Sequence, residues 1–592
     1  MSGTDPKQPN SAEVAALVER ARAWAASDPD PLTRSELSAL IDAGEHSELV
    51  ERMLSDLEFG TAGLRGIVAA GSARMNLAVV IRVTRALADQ LMSRARDART
   101  LPVVIGCDAR LDSQRFADAA ARVLLAVGIP VKRFLDPVPT PFVAYAVRAF
   151  AANAGIMITA SHNPPEYNGY KLYWHDGVQV VPPTDREIFA RMCALGPANE
   201  VPLGDLALQE PIGPEIALRY LAEVRSSLPR LSADRRLRIV YTALHGVGAS
   251  VVERLFREAG YADFHSVPEQ REPDGHFPTV HFPNPEEPGA LDLALALAKE
   301  KKADLVIAND PDVDRLAIAV PTASGSFRAL TGNQIGLLLA EFALSHADSA
   351  ERALVLSSIV SSPMLALMAR ARGARYESVL TGFKWIWTAA LSLEDQKHRF
   401  CFGYEEALGY SFGRTVRDKD GISAALAFAE LAAEARASGK TVLERLHALY
   451  REHGLWVSVQ HNVVLEGAAG AAKIARAMQQ LLDAPPSALA GRAVSRVRDL
   501  QTPEPDAPAW RGPALLVELL LTDDARVFVR PSGTEPKLKM YVDLRAPLAS
   551  DAAVTSAETS ALADALAIAH ALATALGLDS RSHSSLPTRG QR

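Results

Sequence analysis

Short apolar runs that alternate with amphipathic helical stretches constrain the fold of this chain more than any other feature of its sequence. Typical apolar runs are residues 102–106, 154–159 and 305–308, and apolar residues at helical spacing occupy 115–127 and 251–259. Alternation of this kind predicts α/β domains built on mixed or parallel sheets. The strand–helix spacing recurs about three times along the chain, without a clear repeat in the residues themselves.

The length of the chain sets the expected number of domains. With 592 residues and roughly 150 residues per domain, we expect about four. Proline- and glycine-rich seams place them near residues 1–210, 211–325, 326–457 and 458–579, and the polar tail 580–592 is predicted to be disordered. The last domain differs from the others, because strand-like runs there precede a single long helix.

Composition excludes several classes of protein. Hydrophobic residues make up 48% and charged residues 22%, and a net charge of −7 without a strongly basic domain gives no sign of a nucleic-acid partner. Three widely spaced cysteines predict neither a zinc site nor a disulfide framework, which is typical of the cytoplasm. The apolar stretch 561–578 favours an amphipathic surface helix over a membrane anchor. No protein partner is evident.

A serine loop follows one of the strand-like runs. The run Ile156–Thr159 leads into Ala160–Pro165, where two prolines stop the strand and display Ser161 and His162 at its end. Ligand sites of open α/β sheets lie at such strand ends, although a plain polar turn is an alternative. A hydrolase triad is not supported, since the Gly-x-Ser-x-Gly elbow is absent and neighbouring residues of an extended turn point apart.

A lysine stands shortly after this loop. Asn168-Gly169 is a strong hairpin-turn signal, and such a turn would fold Lys171 back toward Ser161. A desolvated lysine can exchange a proton, which arginine cannot do. The alternative is an ordinary lysine on a hairpin.

Three aspartates follow the buried strand-like run at 305–308. Asp310, Asp312 and Asp314 occupy alternate positions, so their carboxylates lie on one side if the segment is extended. Three adjacent carboxylates repel one another unless a cation neutralises them, and all-oxygen ligation suits Mg²⁺. The glycine and glutamate that an EF-hand requires are absent. A solvated acidic turn is the alternative reading.

Two further loops carry polar groups suited to sugar phosphates. Glu405 and Glu406 lie between glycines and are able to accept hydrogen bonds from vicinal hydroxyls. An exposed acidic turn is the alternative. Gly382 and Lys384 lie upstream of this loop. The segment 530–537 follows a strand and combines an arginine fork with hydroxyls and glycine, which is typical of a phosphate cradle. It is not a Walker A loop, and the chain has no complete dinucleotide fingerprint.

Taken together, these loops resemble the α-D-phosphohexomutase superfamily over roughly residues 45–575. The most specific segments are Thr-Ala-Ser-His-Asn-Pro at 159–164, Asp-Pro-Asp-Val-Asp at 310–314 and Arg-Pro-Ser-Gly-Thr-Glu-Pro-Lys at 530–537. Within the superfamily the chain is most similar to the branch of phosphoglucomutase-2 and phosphopentomutase. The segments that suggest this branch are 60–66, 168–171, 405–407 and 418–421.

The resemblance implies an α/β protein with four domains around a central cleft, of which three are mixed α/β units and the fourth is a smaller C-terminal α+β domain. It implies a Mg²⁺-dependent phosphosugar mutase of the isomerase class. Such an enzyme moves a phosphoryl group between position 1 and position 5 or 6 of a sugar phosphate, through a phosphoserine and a bisphosphate intermediate. A sugar bisphosphate would prime the serine.

The resemblance also implies roles for individual residues. The catalytic group is Ser161, Lys171, Arg65 and His162. The metal ligands are Asp310, Asp312 and Asp314, together with the phosphate of Ser161. The substrate-binding residues are Arg315, Gly382, Lys384, Glu405, Glu406, Arg530, Ser532, Gly533, Thr534 and Lys537.

The chain departs from hexose-specific relatives in the sugar loop. Those relatives usually have a serine where this chain has Ala407, so one hydroxyl donor is missing. A site that lacks a polar partner discriminates less for the corresponding sugar hydroxyl, which predicts turnover of pentose phosphates at least as good as that of hexose phosphates. Phe383 and Tyr410 replace two histidines of the bacterial phosphomannomutase branch, so the chemistry that those two histidines assist in that branch is not expected here.

Three alternative functions remain open. They are phosphomannomutase specificity, a sugar-1,6-bisphosphate synthase that recharges the same serine from an acyl phosphate, and a non-catalytic phosphosugar sensor. A sensor would be expected to lack the nucleophile or a metal ligand, and both are present in this chain.

Overall fold

The computed structural model describes residues 11–94, 98–229, 235–395, 397–465, 467–502, 505–532, 537–548, 554–578 and 582–585. Contacts divide the described chain into two compact units. The N-terminal unit contains the chain up to Ile318 together with Gly409–Ala429. The C-terminal unit contains Ala319–Leu408 and the chain from Glu430 onward.

Three helices open the N-terminal unit and pack on one another. They are α1 (Ser11–Ser27), α2 (Pro31–Ala43) and α3 (His46–Met53). The side chain of Asp30 caps α2 by accepting the Leu32 N–H, and Pro31 at the first helical position has no N–H to satisfy. Their small apolar core contains Leu37, Leu49 and Met53, which are fully buried.

A six-stranded mixed sheet follows. Its strands are β1 (Leu64–Ile67), β2 (Val103–Cys107), β3 (Val131–Arg133), β4 (Ala154–Ile158), β5 (Tyr167–Trp174) and β6 (Glu210–Pro211), in the order β1-β5-β4-β2-β3-β6. The pairs β2–β3, β2–β4 and β3–β6 are parallel, and β5 runs antiparallel to both β4 and β1. Its helices are α4 (Leu77–Arg94), α5 (Ser113–Ala126), α6 (Thr140–Ala149) and α7 (Thr184–Ala194).

A second mixed sheet contains the run that precedes the aspartates. Its elements are α8 (Glu215–Ser227), β7 (Ile239–Thr242), α9 (Ala249–Ala259), β8 (Phe264–Ser266), α10 (Asp292–Lys301), β9 (Leu305–Ala308), β10 (Ala317–Pro321) and β11 (Phe327–Ala329). The order of its five strands is β11-β10-β9-β7-β8, with β7 parallel to both β8 and β9. Strand β10 crosses the boundary between the units and pairs antiparallel with β11.

The third α/β region contains α11 (Gly332–Ser345), β12 (Ala353–Ser358), α12 (Met364–Ala371), β13 (Arg375–Val379), α13 (Phe383–Leu393) and β14 (Arg399–Glu405). Strand β12 lies between β13 and β14 and is parallel to both. The chain then forms β15 (Gly409–Phe412), α14 (Gly421–Ala437) and α15 (Val442–His453). Strand β15 and the start of α14 belong to the N-terminal unit.

The last region is an antiparallel sheet with helices. Its elements are β16 (Leu455–Val464), α16 (Gly467–Asp483), β17 (Ala488–Leu489), β18 (Arg492–Asp499), β19 (Val517–Leu521), β20 (Arg526–Pro531), β21 (Lys537–Ala546), α17 (Val554–Ala575) and β22 (Ser582–Ser585). The strand order is β17-β18-β19-β20-β21-β16-β22. Helix α17 contacts β16 and β21, and α16 contacts β19, β20 and β21. Most of the predicted tail lies outside the described residues.

These elements confirm the predicted α/β class, with three successive α/β regions and a C-terminal α+β region. None of the described helices, α17 included, is long and apolar enough to cross a membrane. The prediction of a hairpin turn at Asn168-Gly169 is wrong, because both residues lie inside β5. The reversal between β4 and β5 is made by the serine loop itself.

Candidate active site

The serine loop connects β4 to β5 and holds Ser161 in a left-handed backbone conformation with φ of 54°. Ser161 is 2% exposed, and its N–H donates to the Thr159 hydroxyl at 2.8 Å.

Close packing around Gly169 explains why the predicted hairpin turn does not form there. A Cβ at this position would lie 2.6 Å from the Thr159 carbonyl oxygen and 2.7 Å from that of Leu64. Glycine is therefore required by close packing between strands, and not by a turn.

The side chains of Ser161 and His162 converge, which corrects the expectation that they point apart. Ser161 Oγ lies 3.3 Å from His162 Nδ1, because the left-handed turn at Ser161 brings successive side chains to the same side. Burial, reinforced by the positive charges of Arg315 and Arg65, lowers the pKa of His162 well below its usual value. The imidazole is therefore neutral at pH 7.

The three aspartates form one buried group at the end of β9. Each of Asp310, Asp312 and Asp314 is at most 1% exposed, and one carboxylate oxygen from each lies within 4.8 Å of the others. The loop is not extended as the alternate spacing suggested. The Val313 N–H donates to the Asp310 carbonyl at 2.9 Å, and Val313 has a φ of 64°. A tight turn thus gathers the carboxylates.

Hydrogen bonds tie this group to the serine. Ser161 Oγ donates to Asp310 Oδ2 at 2.5 Å, and the backbone N–H of Arg315 donates to the other oxygen of Asp310 at 2.9 Å. Asp312 Oδ2 accepts from Thr140 Oγ1 at 2.6 Å. The serine therefore lies directly against the acidic group.

Two carboxylate oxygens in this group have no hydrogen-bond partner among the described residues. They are Oδ1 of Asp312 and Oδ1 of Asp314, and both are buried. A buried carboxylate oxygen without a partner is strongly destabilising unless a cation neutralises it. The group therefore fits a hard, oxygen-preferring divalent cation.

Lys171 lies on β5 opposite Met157 of β4 and bridges two of the aspartates. Its Nζ is 2.7 Å from Asp312 Oδ2 and 2.6 Å from Asp314 Oδ2, and its side chain is 1% exposed. Burial alone would lower the pKa of Lys171, but attraction to Asp312 and Asp314 outweighs it and raises the pKa above its usual value. Lys171 is therefore a buried cation at neutral pH.

The charge balance differs among the three aspartates. Burial, together with repulsion from Asp312 and Asp314, raises the pKa of Asp310 well above its usual value. Burial also acts against the charged form of Asp314, but attraction to Lys171, Lys419 and Arg315 lowers its pKa. Lysine thus already neutralises the charge of Asp312 and Asp314. Asp310, which faces Ser161, has no lysine partner among the described residues.

Two arginines complete a cationic face beside the serine. Arg65 lies on β1, and its Nη1 donates to Asn163 Oδ1 at 2.7 Å. Burial and repulsion from Arg315 lower the pKa of Arg65 to about 10, so it remains charged at pH 7. Two partly buried cations that repel each other are stabilised by an anion between them. The face is therefore suited to a phosphoryl group.

The segment 409–429 also supplies residues to this site, to which the sequence motifs gave no role there. Lys419 Nζ lies 3.2 Å from Asp314 Oδ2. The Gly421 N–H donates to the Val313 carbonyl at 3.1 Å, and a Cβ at Gly421 would lie 2.4 Å from the Arg315 carbonyl oxygen. The sequence motif at 418–421 indicated only a branch of the resembled superfamily, and no local pattern connects it to the aspartate loop. Close backbone packing makes that connection.

Glu405 and Glu406 lie at the end of β14 in the C-terminal unit. Glu405 Oε1 accepts the Gly382 N–H at 2.6 Å, and Gly382 has a φ of 120°. Glu406 Oε2 accepts hydroxyl hydrogen bonds from Ser358 at 2.8 Å and Ser361 at 3.1 Å. The structure therefore brings Gly382, Glu405 and Glu406 together, and two serines position the second carboxylate.

The segment 530–537 connects β20 to β21. The Ser532 N–H donates to the Lys537 carbonyl at 2.7 Å, and the Arg530 guanidinium lies 5.8 Å from the ring centre of Tyr541. Gly533 and Thr534 lie outside the described residues. Burial raises the pKa of Tyr541 to about 12, with Arg530 opposing and Glu406 adding to the shift. The sugar and phosphate loops therefore lie near one another around Tyr541.

Comparison with known proteins identifies the family. Four consecutive domains described as phosphoglucomutase/phosphomannomutase alpha/beta/alpha domains I, II and III and the C-terminal domain match residues 56–196, 218–325, 331–453 and 495–556. The chain therefore belongs to the phosphoglucomutase/phosphomannomutase family. It is a phosphosugar mutase, an enzyme of the isomerase class.

Individual relatives match almost the whole chain. Phosphopentomutase from Homo sapiens is 35% identical over 572 residues, covering 92% of this chain and 94% of that protein. Glucose 1,6-bisphosphate synthase from Homo sapiens is 33% identical over 563 residues, covering 90% of each. The crystal structure of a phosphoglucomutase/phosphomannomutase family protein from Burkholderia thailandensis has a TM-score of 0.63 at 19% identity, covering 88% of this chain and 98% of that one. It supports the fold.

Proposed function

We propose that this chain transfers a phosphoryl group between position 1 and position 5 or 6 of a sugar phosphate, through a phosphoserine at Ser161. The observation that carries the proposal is the 2.5 Å contact between Ser161 Oγ and Asp310 within the buried aspartate group. This arrangement joins a nucleophile, a cation site and a buried lysine, which are the parts that phosphoryl transfer requires. The substrates are small sugar phosphates.

The chemistry follows from positioning and charge. Asp310, Asp312, Asp314 and the phosphate of Ser161 would hold Mg²⁺, which would neutralise charge on the transferring group. Arg65 and Arg315 bind the phosphoryl oxygens, and Lys171 keeps two of the aspartates neutralised. His162 is neutral and within hydrogen-bonding range of Ser161 Oγ. In-line transfer needs little further covalent help.

The other loops bind the rest of the substrate in this proposal. Glu405 and Glu406 accept hydrogen bonds from sugar hydroxyls. Arg530, Ser532, Gly533 and Thr534 bind the phosphate that does not react, and Lys384 and Lys537 make further substrate contacts. The bisphosphate intermediate has to turn around between the two transfers, so these contacts must accept both orientations of the sugar. A sugar bisphosphate primes Ser161.

Removal of divalent cations is expected to lower the turnover number by at least about two orders of magnitude, since the cation supplies several kcal/mol of charge stabilisation in the transition state. Mg²⁺ should also raise the melting temperature, because it binds the folded carboxylates and not the unfolded chain. The measurement is activity and thermal unfolding during Mg²⁺ titration after chelation. In the Asp312→Asn variant the Mg²⁺-dependent rise should shrink. An equal rise in the variant would contradict a cation at this group.

Pentose phosphates are expected to be turned over at least as well as hexose phosphates, because Ala407 provides no hydroxyl for sugar recognition. The similarity to phosphopentomutase supports this proposal. Steady-state kcat/KM for ribose 1-phosphate, glucose 1-phosphate and mannose 1-phosphate gives the specificity directly. Ala407→Ser should shift the ratio toward glucose by about 3- to 10-fold, the effect of one hydrogen bond. A large glucose or mannose preference in the unchanged chain would contradict the proposal.

A bisphosphate synthase is the second candidate, and the similarity to glucose 1,6-bisphosphate synthase favours testing it. Such an enzyme recharges the serine from an acyl phosphate and releases bisphosphate. Incubation with an acyl phosphate and a sugar monophosphate separates the two functions. Our proposal expects isomerised monophosphate as the main product, whereas accumulation of bisphosphate would identify a synthase.

A further inference from the structure

Arg110 is a buried arginine beside the serine loop that neither the sequence motifs nor the proposed chemistry uses. It follows strand β2, which is the neighbour of β4 in the sheet, and it is 4% exposed. Its guanidinium donates to four backbone carbonyl oxygens of one short segment. The acceptors are the carbonyls of Ser161 at 2.7 Å, Asn163 at 2.5 Å, Pro164 at 2.7 Å and Tyr167 at 3.0 Å.

These four bonds use the donors of both terminal nitrogens of Arg110. Nη1 and Nη2 carry two N–H groups each, and each nitrogen makes two of the bonds. The remaining nitrogen, Nε, lies 3.3 Å from Asp108 Oδ2. Arg110 therefore has no terminal N–H left for a substrate phosphate, unlike an arginine that binds ligand. Its contacts act on the shape of the loop.

We call Arg110 and its four carbonyl contacts the clamp. Asp108 connects the clamp to Ser161 by a second route. Its carboxylate accepts the Thr159 hydroxyl at 2.6 Å and the Ser113 hydroxyl at 2.6 Å. The Thr159 hydroxyl in turn accepts the Ser161 N–H at 2.8 Å. The backbone on both sides of the nucleophile is thus fixed, at the N–H through Asp108 and Thr159, and at the carbonyl through Arg110.

The clamp is needed because the loop is strained at the nucleophile. Ser161 has a φ of 54°, a left-handed conformation that non-glycine residues rarely adopt because Cβ crowds the following carbonyl oxygen. The strained conformation also turns Ser161 Oγ toward Asp310. A loop released from Arg110 would relax to a right-handed or extended backbone and move the hydroxyl away from the aspartate group.

Residues Gly275 and Phe277, from the region of the second sheet, also pack against Arg110. The Phe277 ring centre lies 5.0 Å from the Arg110 guanidinium carbon. A Cβ at Gly275 would lie 2.7 Å from the Ala109 carbonyl oxygen and 2.9 Å from Arg110 Cα, so only glycine permits this approach. Arg110 is therefore covered by an aromatic ring on one face and by the serine loop on its edge.

We propose that Arg110 is a positioning residue for phosphoryl transfer, which holds the Ser161 loop in its reactive geometry through four backbone carbonyls. The proposal rests on the proposed phosphoserine function of Ser161. A displacement of about 1 Å at a reacting atom lowers a catalysed rate by about 100-fold. Arg110 therefore controls the rate of transfer to and from Ser161, and has little effect on sugar binding.

The test compares Arg110→Lys with Arg133→Lys. Arg133 is a matched control, since it is also buried and lies on β3, the neighbour of the strand that Arg110 follows. Among the described residues its guanidinium donates to Asp118, Gln209 and the Gln114 carbonyl, all outside the serine loop. We expect Arg110→Lys to lower kcat about 100-fold, with KM changed less than about 3-fold. The same loss should occur in single-turnover phosphorylation of Ser161 by a sugar bisphosphate. Arg133→Lys should lose thermal stability while keeping its kcat within about 3-fold.

Two further variants test the same role of Arg110 if Arg110→Lys does not fold. Arg110→Ala should regain part of its kcat when guanidinium ion is added at millimolar concentration, whereas Arg133→Ala should not. Thr159→Val keeps the side-chain shape and should lower kcat about 10-fold at unchanged KM, the effect of one hydrogen bond at the nucleophile. Equal kcat in the Arg110 and Arg133 variants, or a change in KM alone, would overturn the positioning role. A failure of the proposed phosphoserine function would be detected separately. In that case Ser161 of the unchanged, active enzyme would carry no phosphate.

Discussion

Replacing Ser161 by alanine is expected to abolish turnover, with kcat reduced by at least about four orders of magnitude. The reason is that Ser161 Oγ is the group that would carry the phosphoryl, and it is held 2.5 Å from Asp310. The loss of one buried hydrogen bond changes the free energy of unfolding by only about 1 kcal/mol. The effect on activity should therefore be far larger than the effect on stability.

Ser72→Ala provides the control for this variant. Ser72 is also buried in the N-terminal unit, where its hydroxyl donates to the Ser55 carbonyl at 2.8 Å. We expect it to keep its kcat within about 3-fold of the unchanged chain, since it lies outside the proposed site. Turnover numbers of both variants with glucose 1-phosphate and ribose 1-phosphate check the prediction. Ser161→Ala with more than about a hundredth of normal activity would show that another group is the nucleophile.

Replacing Lys171 by methionine is expected to damage both activity and stability. The change leaves Asp312 and Asp314 buried without the cation that bridges them, and breaking such a pair costs about 3–5 kcal/mol. Loss of a preorganised positive group at the reacting centre should also lower kcat by about 100- to 1000-fold. Mg²⁺ should recover part of the lost stability, because it neutralises the same carboxylates. Urea unfolding with and without Mg²⁺ measures this recovery.

Lys132→Met is the matched control for the lysine. Lys132 pairs with Glu210 on the exposed edge of the same sheet, and surface pairs contribute about 0–1 kcal/mol. We expect this variant to keep normal kcat. A Lys171→Met variant that matches Lys132→Met in both stability and kcat would contradict a buried bridging role for Lys171.

The residues of the site were largely predictable, because each chemical motif follows a strand-like apolar run. The runs before Ser161 and before Asp310 became the buried strands β4 and β9. Their side-chain types predicted a cation site and a nucleophile, and the structure places the three aspartates in one buried group against Ser161. The contact between Ser161 and Asp310 cannot be predicted from sequence spacing, because β4 and β9 lie in different sheets. That contact depends on packing between domains.

Local rules failed where close packing or strain overrides them. Asn168-Gly169 has the sequence of a hairpin turn, but Gly169 is needed inside β5, where carbonyl oxygens of Thr159 and Leu64 leave no room for a Cβ. Ser161 and His162 were expected to diverge because an extended backbone was assumed. The left-handed φ at Ser161 turns them to the same side. Neither effect has a sequence signature of its own.

Two residues were missed for a different reason. Arg110 acts on backbone carbonyls, which every residue has, so its target leaves no side-chain pattern to recognise. Its position just after β2, beside the strand that leads to Ser161, was the available signal. Lys419 reaches Asp314 from a segment far along the chain, after the third α/β region. The close approach of Gly421 to the aspartate loop, which a Cβ would block, accompanies that contact.

The central claim is that Ser161 carries the phosphoryl group during turnover. Peptide-level mass spectrometry of the chain after brief incubation with Mg²⁺ and a sugar bisphosphate tests it most directly. We predict one phosphoryl group per chain, located on Ser161, which a sugar monophosphate then removes at a rate no slower than kcat. Active enzyme without phosphate at Ser161, or with phosphate on a different residue, would contradict the account.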